Sequence, residues 1–258
     1  MKEQYGSIQG KQLEFLIINL CRVKHTDEHN LVTSLDSFGP GYFSNNVAKM
    51  QEKYSHPKSG ETISLREPTT SESVSRIAYN FTKDSKPKVL DPRWAQMGRI
   101  VRASEGVYIN PPKDSTGNPI KDERILKLLL NGTKKSNGIY TIEDKIISLE
   151  DLNYDLRDFS FVPYGSFEQR DQSSGDFARS GLARGLEHTT LDKAEKLEAI
   201  SSKDNYPNGV YVGDFDSLKE PQFKISGLDS VGGRLDVGGS WDGGSGHAFG
   251  VYALEKRK

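Results

Sequence analysis

Residues Phe161–Ile200 read FVPYGSFEQRDQSSGDFARSGLARGLEHTTLDKAEKLEAI, and the fold class turns on this stretch. Its aromatic, strand-like entry runs into two helix patterns, which mixes sheet and helix within forty residues. For the later helix, Thr189 and Asp192 have capping-box spacing, with Asp in place of the usual Glu or Gln. Leu191, Ala194, Leu197 and Ile200 then form one apolar stripe, while Lys193, Glu195, Lys196 and Glu198 face water. The earlier helix is predicted from Ser174, a good N-cap, through Phe177, Ala178, Gly181, Leu182, Ala183 and Leu186. Gly181 and Gly185 each cost about 1 kcal/mol in a helix interior. Their spacing predicts a small-residue groove where another backbone can come close.

Asp176, Arg179, Arg184, Glu187 and His188 decorate that earlier helix, and on one continuous helix Arg184 and His188 share a face. The functional reading is an anion pocket in which Arg forks bind carboxylate or phosphate. His188 could move a proton near neutral pH, paired with Glu187. The plainer reading is a solvated helix face with His188 at its C-terminal end.

Outward from this centre, the chain has 258 residues, room for one large domain or two small ones. Aromatic residues make up 9% and argue against wholesale disorder. The net charge of -1 gives no support to a dedicated nucleic-acid-binding domain, which carries a basic footprint. With one cysteine, Cys21, there is no internal disulfide framework and no Cys-based zinc module. No signal peptide or run of about 20 apolar residues is read, so the expectation is a soluble cytoplasmic protein with no membrane partner.

The apolar run Leu13–Leu20 is expected to be a buried strand. His25-Thr26-Asp27-Glu28-His29 follows and fits the zinc-peptidase pattern H-x-x-E-H. On a helix His25, Glu28 and His29 would line up with Cys21, which makes a metal-dependent hydrolase the alternative function. The wholly polar surroundings favour a charged loop instead. Ser44 is expected to cap a helix with Val47, Met50, Gln51 and Tyr54 on one side. Thr69 and Glu72 form a full capping box before the stripe Val74, Ile77, Ala78, Phe81. Lys83–Lys88 is the linker candidate. It suggests a largely helical region over 1–85 and an α+β region over 86–258, although a single domain fits nearly as well.

The second half is more sheet-like. Asp122 caps a predicted helix through Leu130 with Gly132 as its stop, and residues 138–148 read as a hairpin turning at Glu143-Asp144. Gly followed by Val or Ile and then Tyr recurs at Gly106, Gly138, Gly209 and Gly250, where glycine permits a turn and Val-Tyr opens a strand. The Gly-rich stretch 226–250 holds Asp229, Asp236, Asp242, Trp241 and His247. The carboxylates on a flexible loop suit Ca2+ or Mg2+, although the EF-hand order of acids is absent, and Trp241 could stack on a sugar or base. The plainer reading is a set of β-turns.

The fold class expected is α+β, with short, mainly antiparallel strands and several amphipathic helices. Three functions remain open: a binding protein for a small anionic ligand or a macromolecule, using Asp176, Arg179, Arg184, Trp241 and His247; a hydrolase, through His25, Glu28 and His29 or through His188 and Glu187; and a non-catalytic interaction subunit with a protein partner. The cofactor is left unknown, and no P-loop, G-x-G-x-x-G fingerprint or classical Ser-His-Asp signature is present.

Overall fold

The computed structural model describes residues 4–8, 11–56, 58–82, 90, 94–114, 116–131, 134–136, 139–141, 146–149, 152–240 and 245–257. The protein is α+β, with mostly antiparallel sheets. It divides into two compact units. Unit 1 comprises 1–68 and 243–258, and unit 2 comprises 69–242.

Unit 1 is built from β1 (Gln4–Ile8), β2 (Lys11–Ile17), β3 (Leu20–Lys24), β4 (His29–Ser34), β5 (Phe38–Gly41), α1 (Phe43–Met50), β6 (Tyr54–Ser55) and β7 (Thr62–Ile63). The C-terminal strands Gly246–Ala248 and Val251–Lys256 return to it. The apolar run Leu13–Leu20 is divided between β2 and β3, with Ile18 buried at the junction. The last strand pairs antiparallel with β4, which pairs with β3. Thr33 Oγ1 donates to Gly250 O at 2.7 Å and Gly250 N donates to Ser34 Oγ at 3.1 Å, pinning the chain's return. Helix α1 buries Phe43, Val47 and Met50, but its N-cap is Tyr42 without a side-chain cap, one turn-edge earlier than Ser44. Residues 1–85 thus carry seven strands besides two helices among the described residues, not a largely helical region. Strands β6 and β7, of two residues each, are too short to show an alternating pattern.

Unit 2 opens with α2 (Thr70–Thr82), followed by β8 (Trp94–Arg102), β9 (Gly106–Ile109), α3 (Glu123–Leu129), β10 (Lys134–Ser136) and β11 (Ile139–Thr141). Next come β12 (Ile146–Leu149), β13 (Leu152–Asp155), β14 (Ser160–Pro163) and β15 (Asp171–Gln172). Helices α4 (Ser174–Arg179), α5 (Gly181–Glu187) and α6 (Glu195–Ile200) lead to β16 (Val210–Gly213), β17 (Gln222–Val231) and β18 (Arg234–Gly238). The main sheet runs β10-β11-β14-β9-β8-β17-β18-β16-β15, antiparallel except for the parallel pair β16–β18. Alternation along the strands gives it two buried faces. One carries Val101, Tyr108, Phe159 and Phe161 in a cluster with Leu126 and Leu129 of α3. The other presents Ile109 and Val162, against which α5 packs.

The capping box is present: Thr69 N donates to Glu72 Oε2 at 2.8 Å and Glu72 N to Thr69 Oγ1 at 3.3 Å. Asp122 caps α3 through Arg124 N at 2.9 Å. The strand Ile146–Leu149 pairs forward with β13, and among the described residues it makes no pairing with β11. The Glu143-Asp144 turn, Gly132 and the Lys83–Lys88 linker candidate lie outside the described residues. The Gly-rich stretch is largely sheet: Gly232 and Gly233, at φ 58° and 77°, close a two-residue hairpin between β17 and β18.

Candidate functional site

The predicted helix 174–186 is two helices. Ser180, at φ −63° and ψ 152°, ends α4 in extended backbone, and its Oγ accepts from Ala183 N at 3.2 Å to start α5. The chain therefore turns between Arg179 and Arg184. Arg179 is exposed and donates to Gly175 O of its own helix at 3.1 Å. Asp176 is exposed and accepts from Ser173 Oγ at 2.7 Å. Arg184 is only 4% exposed; burial lowers its pKa, opposed by the charge of Asp192. These three side chains do not form one pocket wall.

The glycines do admit a close approach, but at Gly185 it is made by side chains rather than by another backbone. A Cβ at Gly185 would overlap Val162 Cγ2 and lie 2.9 Å from Ile109 Cδ1, and one at Gly181 would overlap the Ser166 side chain. This seats α5 flat on β14 and β9. Helix α5 ends at His188, whose φ of 51° and ψ of 51° make it a left-handed C-cap, with Thr189 N donating to Arg184 O at 3.0 Å. His188 accordingly leaves the helix face that Arg184 occupies.

The imidazole has a partner that sequence spacing could not supply. Ser160 Oγ lies 2.8 Å from His188 Nδ1. Ser160 opens β14, is hydrogen-bonded in register between Ile109 of β9 and Thr141 of β11, and has no exposure. Two further residues beside it have left-handed backbones: Asn110 at φ 50° and Asp158 at φ 54°. Asn110 Oδ1 accepts from Thr70 N and Thr70 Oγ1, each at 2.9 Å, and its Nδ2 donates to Asp158 O at 3.1 Å. Thr69 Oγ1 donates to the Asp158 carboxylate, and Ser71 Oγ donates to Glu187 O at 3.0 Å. The first turn of α2, the ends of β9 and β14, and the end of α5 thus meet in one hydrogen-bonded cluster. Of the four described non-glycine residues with positive φ, three sit here. Each costs roughly 1–2 kcal/mol, and such strain concentrates where geometry matters.

Glu187 does not pair with His188. Its Oε2 accepts from Lys196 N at 3.0 Å and Leu197 N at 3.1 Å, capping α6 in place of the expected Thr189. Helix α6 starts at Glu195, so Ala194, Leu197 and Ile200 are buried as expected while Leu191 is 55% exposed. Burial raises the Glu187 pKa; Lys196 and the two amide hydrogen bonds oppose it.

The remaining sequence candidates lie elsewhere. His25, Glu28 and His29 sit at the tip of the β3–β4 hairpin, where Thr26 Oγ1 accepts from His29 N at 3.0 Å and Glu28 N at 3.3 Å; they are not on a helix. Among the described residues no three His, Cys, Asp or Glu side chains gather to hold a metal ion. His247 belongs to unit 1, with Nδ1 3.3 Å from Ser37 Oγ. Trp241 and Asp242 lie outside the described residues. Asp229 accepts from Ser230 N at 2.6 Å, and Asp236 pairs with Arg234 at 2.6 Å. Among the described residues no helix is long and apolar enough to cross a membrane.

Ser160, Asn110, Asp158 and Thr69–Ser71 were not legible as a site. The available hint was Asn and Asp at strand ends, the residues that best tolerate left-handed backbone. The protein is an α+β chain whose larger unit sets a histidine on a buried serine at the rim of its sheet. The chain matches no protein-family model, no curated protein and no solved structure.

Proposed function

We propose that unit 2 is a binding module for a small polar ligand, seated at the free edge of the His188 imidazole. The observation that supports this most is the convergence of Asn110, Asp158 and His188, all in left-handed backbone, on one hydrogen-bonded cluster. Residues of low backbone strain would serve if the cluster only closed the sheet. Ser160 holds the ring by Nδ1, and Nε2 makes no hydrogen bond among the described residues, yet it is not a buried atom left without a partner. His188 is only partly buried, and we read that nitrogen as the one that meets the ligand. Because Ser160 is fully buried and Glu187 caps α6, nothing favours a serine-nucleophile or a Glu187–His188 hydrolase. Arg184 lies on the α5 face that His188 leaves, and Arg179 on α4, so neither belongs to this seat. We place the protein in the cytoplasm, on the strength of its polar composition and single cysteine.

The test is thermal unfolding of the full chain with phosphate, acetate, nucleotides, sugars and divalent cations. A ligand at 100 times its Kd adds about 2.7 kcal/mol. His188→Asn keeps a residue tolerant of φ 51° and removes the Nε2 edge. The expected result is a shift in the wild type that this variant loses. Losing one hydrogen bond to a charged ligand costs about 1.5–3 kcal/mol, or roughly tenfold or more in affinity. A shift retained in full by His188→Asn, or none with any ligand, would overturn the reading.

A further inference from the structure

We infer that His188 is fixed as an N–H donor at Nε2 by Ser160, and that the ligand it takes is an oxyanion, a phosphate or carboxylate group. The inference rests on the ligand seat proposed above. The Ser160 side chain has no exposure, and its hydrogen-bond partner among the described residues is His188 Nδ1, 2.8 Å away. Two arrangements share that contact. If Nδ1 carried the proton, the ring would donate to Oγ and the serine hydrogen would have no acceptor among the described residues. If the hydroxyl donates to Nδ1, both groups are satisfied, and the single proton of the neutral ring must sit on Nε2. An unpaired buried donor is penalised enough to favour the second arrangement about tenfold.

The hydroxyl donates to the ring as in a nucleophile–base pair, but Ser160 has no exposure, so no substrate reaches its oxygen. Ser160 is therefore a positioning residue. A ring held with N–H outward recognises an acceptor oxygen, and a charged oxygen accepts a hydrogen bond about twice as strongly as a neutral one. The first turn of α2, a 13-residue helix, is tied to the same cluster through Thr70–Asn110 and through Ser71 to the Glu187 carbonyl. Its N-terminal end meets the cluster with Glu72 and Asp158 already beside it. The Glu187 carboxylate is engaged with the amides of α6 and the Asp158 carboxylate with Thr69.

The test is long-range nitrogen–proton NMR on the nitrogen-labelled full chain at neutral pH, with His188 assigned by its loss in His188→Asn. The expected spectrum is that of the Nε2–H tautomer. In Ser160→Ala the Nδ1 resonance should move toward that of an unbonded acceptor nitrogen, which a merely structural role for Ser160 would not produce. Inorganic phosphate or acetate, added at matched ionic strength, should perturb Nε2 more than Nδ1, while a neutral sugar or Mg2+ should not. An Nδ1–H tautomer would overturn the inference whatever binds. A response to the sugar or Mg2+ but not to phosphate or acetate would overturn the oxyanion class and leave the seat standing. No response to any probe from a ring in the Nε2–H form would instead sink the ligand seat itself, and the oxyanion with it.

Discussion

At the scale of single residues, α5 carries two buried ionisable groups that are served separately. Glu187 holds the amides of Lys196 and Leu197 in surroundings that raise its pKa above the ordinary 4.5, burial being the main cause. A carboxyl raised in the folded state contributes most to stability below its unfolded pKa. That contribution is lost as the pH rises from about 4.5 through the folded value. Glu187→Gln keeps an oxygen for the two amides and removes the buried charge. It should therefore gain stability relative to the wild type between acid and neutral pH, read as the difference in denaturant midpoints at the two ends. A difference that does not change with pH would contradict this. Glu187→Ala leaves both amides unpaired and should cost about 2–6 kcal/mol, from roughly 1–3 kcal/mol per buried unpaired group. Residue-level chemistry was only half legible in the sequence. Glu187 and His188 were singled out, but the partner of each lies in another element.

At the scale of elements, the most legible features were those with local causes. The Thr69/Glu72 box starts α2, Asp122 starts α3, and Gly before Val-Tyr opens β9, β16 and the last strand. The helix over 174–186 failed as one element because Ser180 offers its side chain to the next turn, an option that serine has in any helix and takes only where packing favours a bend. Packing sets that bend: α5 must lie flat enough on β14 for Gly185 to meet Val162 and Ile109. Gly185→Ala should thus destabilise the fold, although alanine is the better helix former. Overpacking costs about 1–3 kcal/mol against a propensity gain of about 1 kcal/mol. A rise in the unfolding midpoint of Gly185→Ala would show that α5 is not so closely seated.

At the scale of the whole molecule, the α+β class was legible from the mixture of helix stripes and short Gly-bounded strands. The return of the C-terminus was not, because strand pairing between residues 29–34 and 251–256 leaves no trace in local pattern. Removal of residues 243–258 takes away the partner of β4 and the Gly250 contacts to Thr33 and Ser34. Hydrogen exchange should then speed up in β3 and β4 while the amides of β9 and β14 stay protected; unchanged protection in β4 would refute this. The site follows the same rule, since Ser160 and His188 are 28 residues apart and meet only because α5 folds back over β14. The most direct measurement of the central claim is a titration of the full chain with inorganic phosphate at constant ionic strength, followed at the ring signals of its five histidines. The account predicts that the His188 signals move saturably while those of His25, His29, His56 and His247 stay in place. A static His188, or the same unsaturable drift in all five, would contradict it.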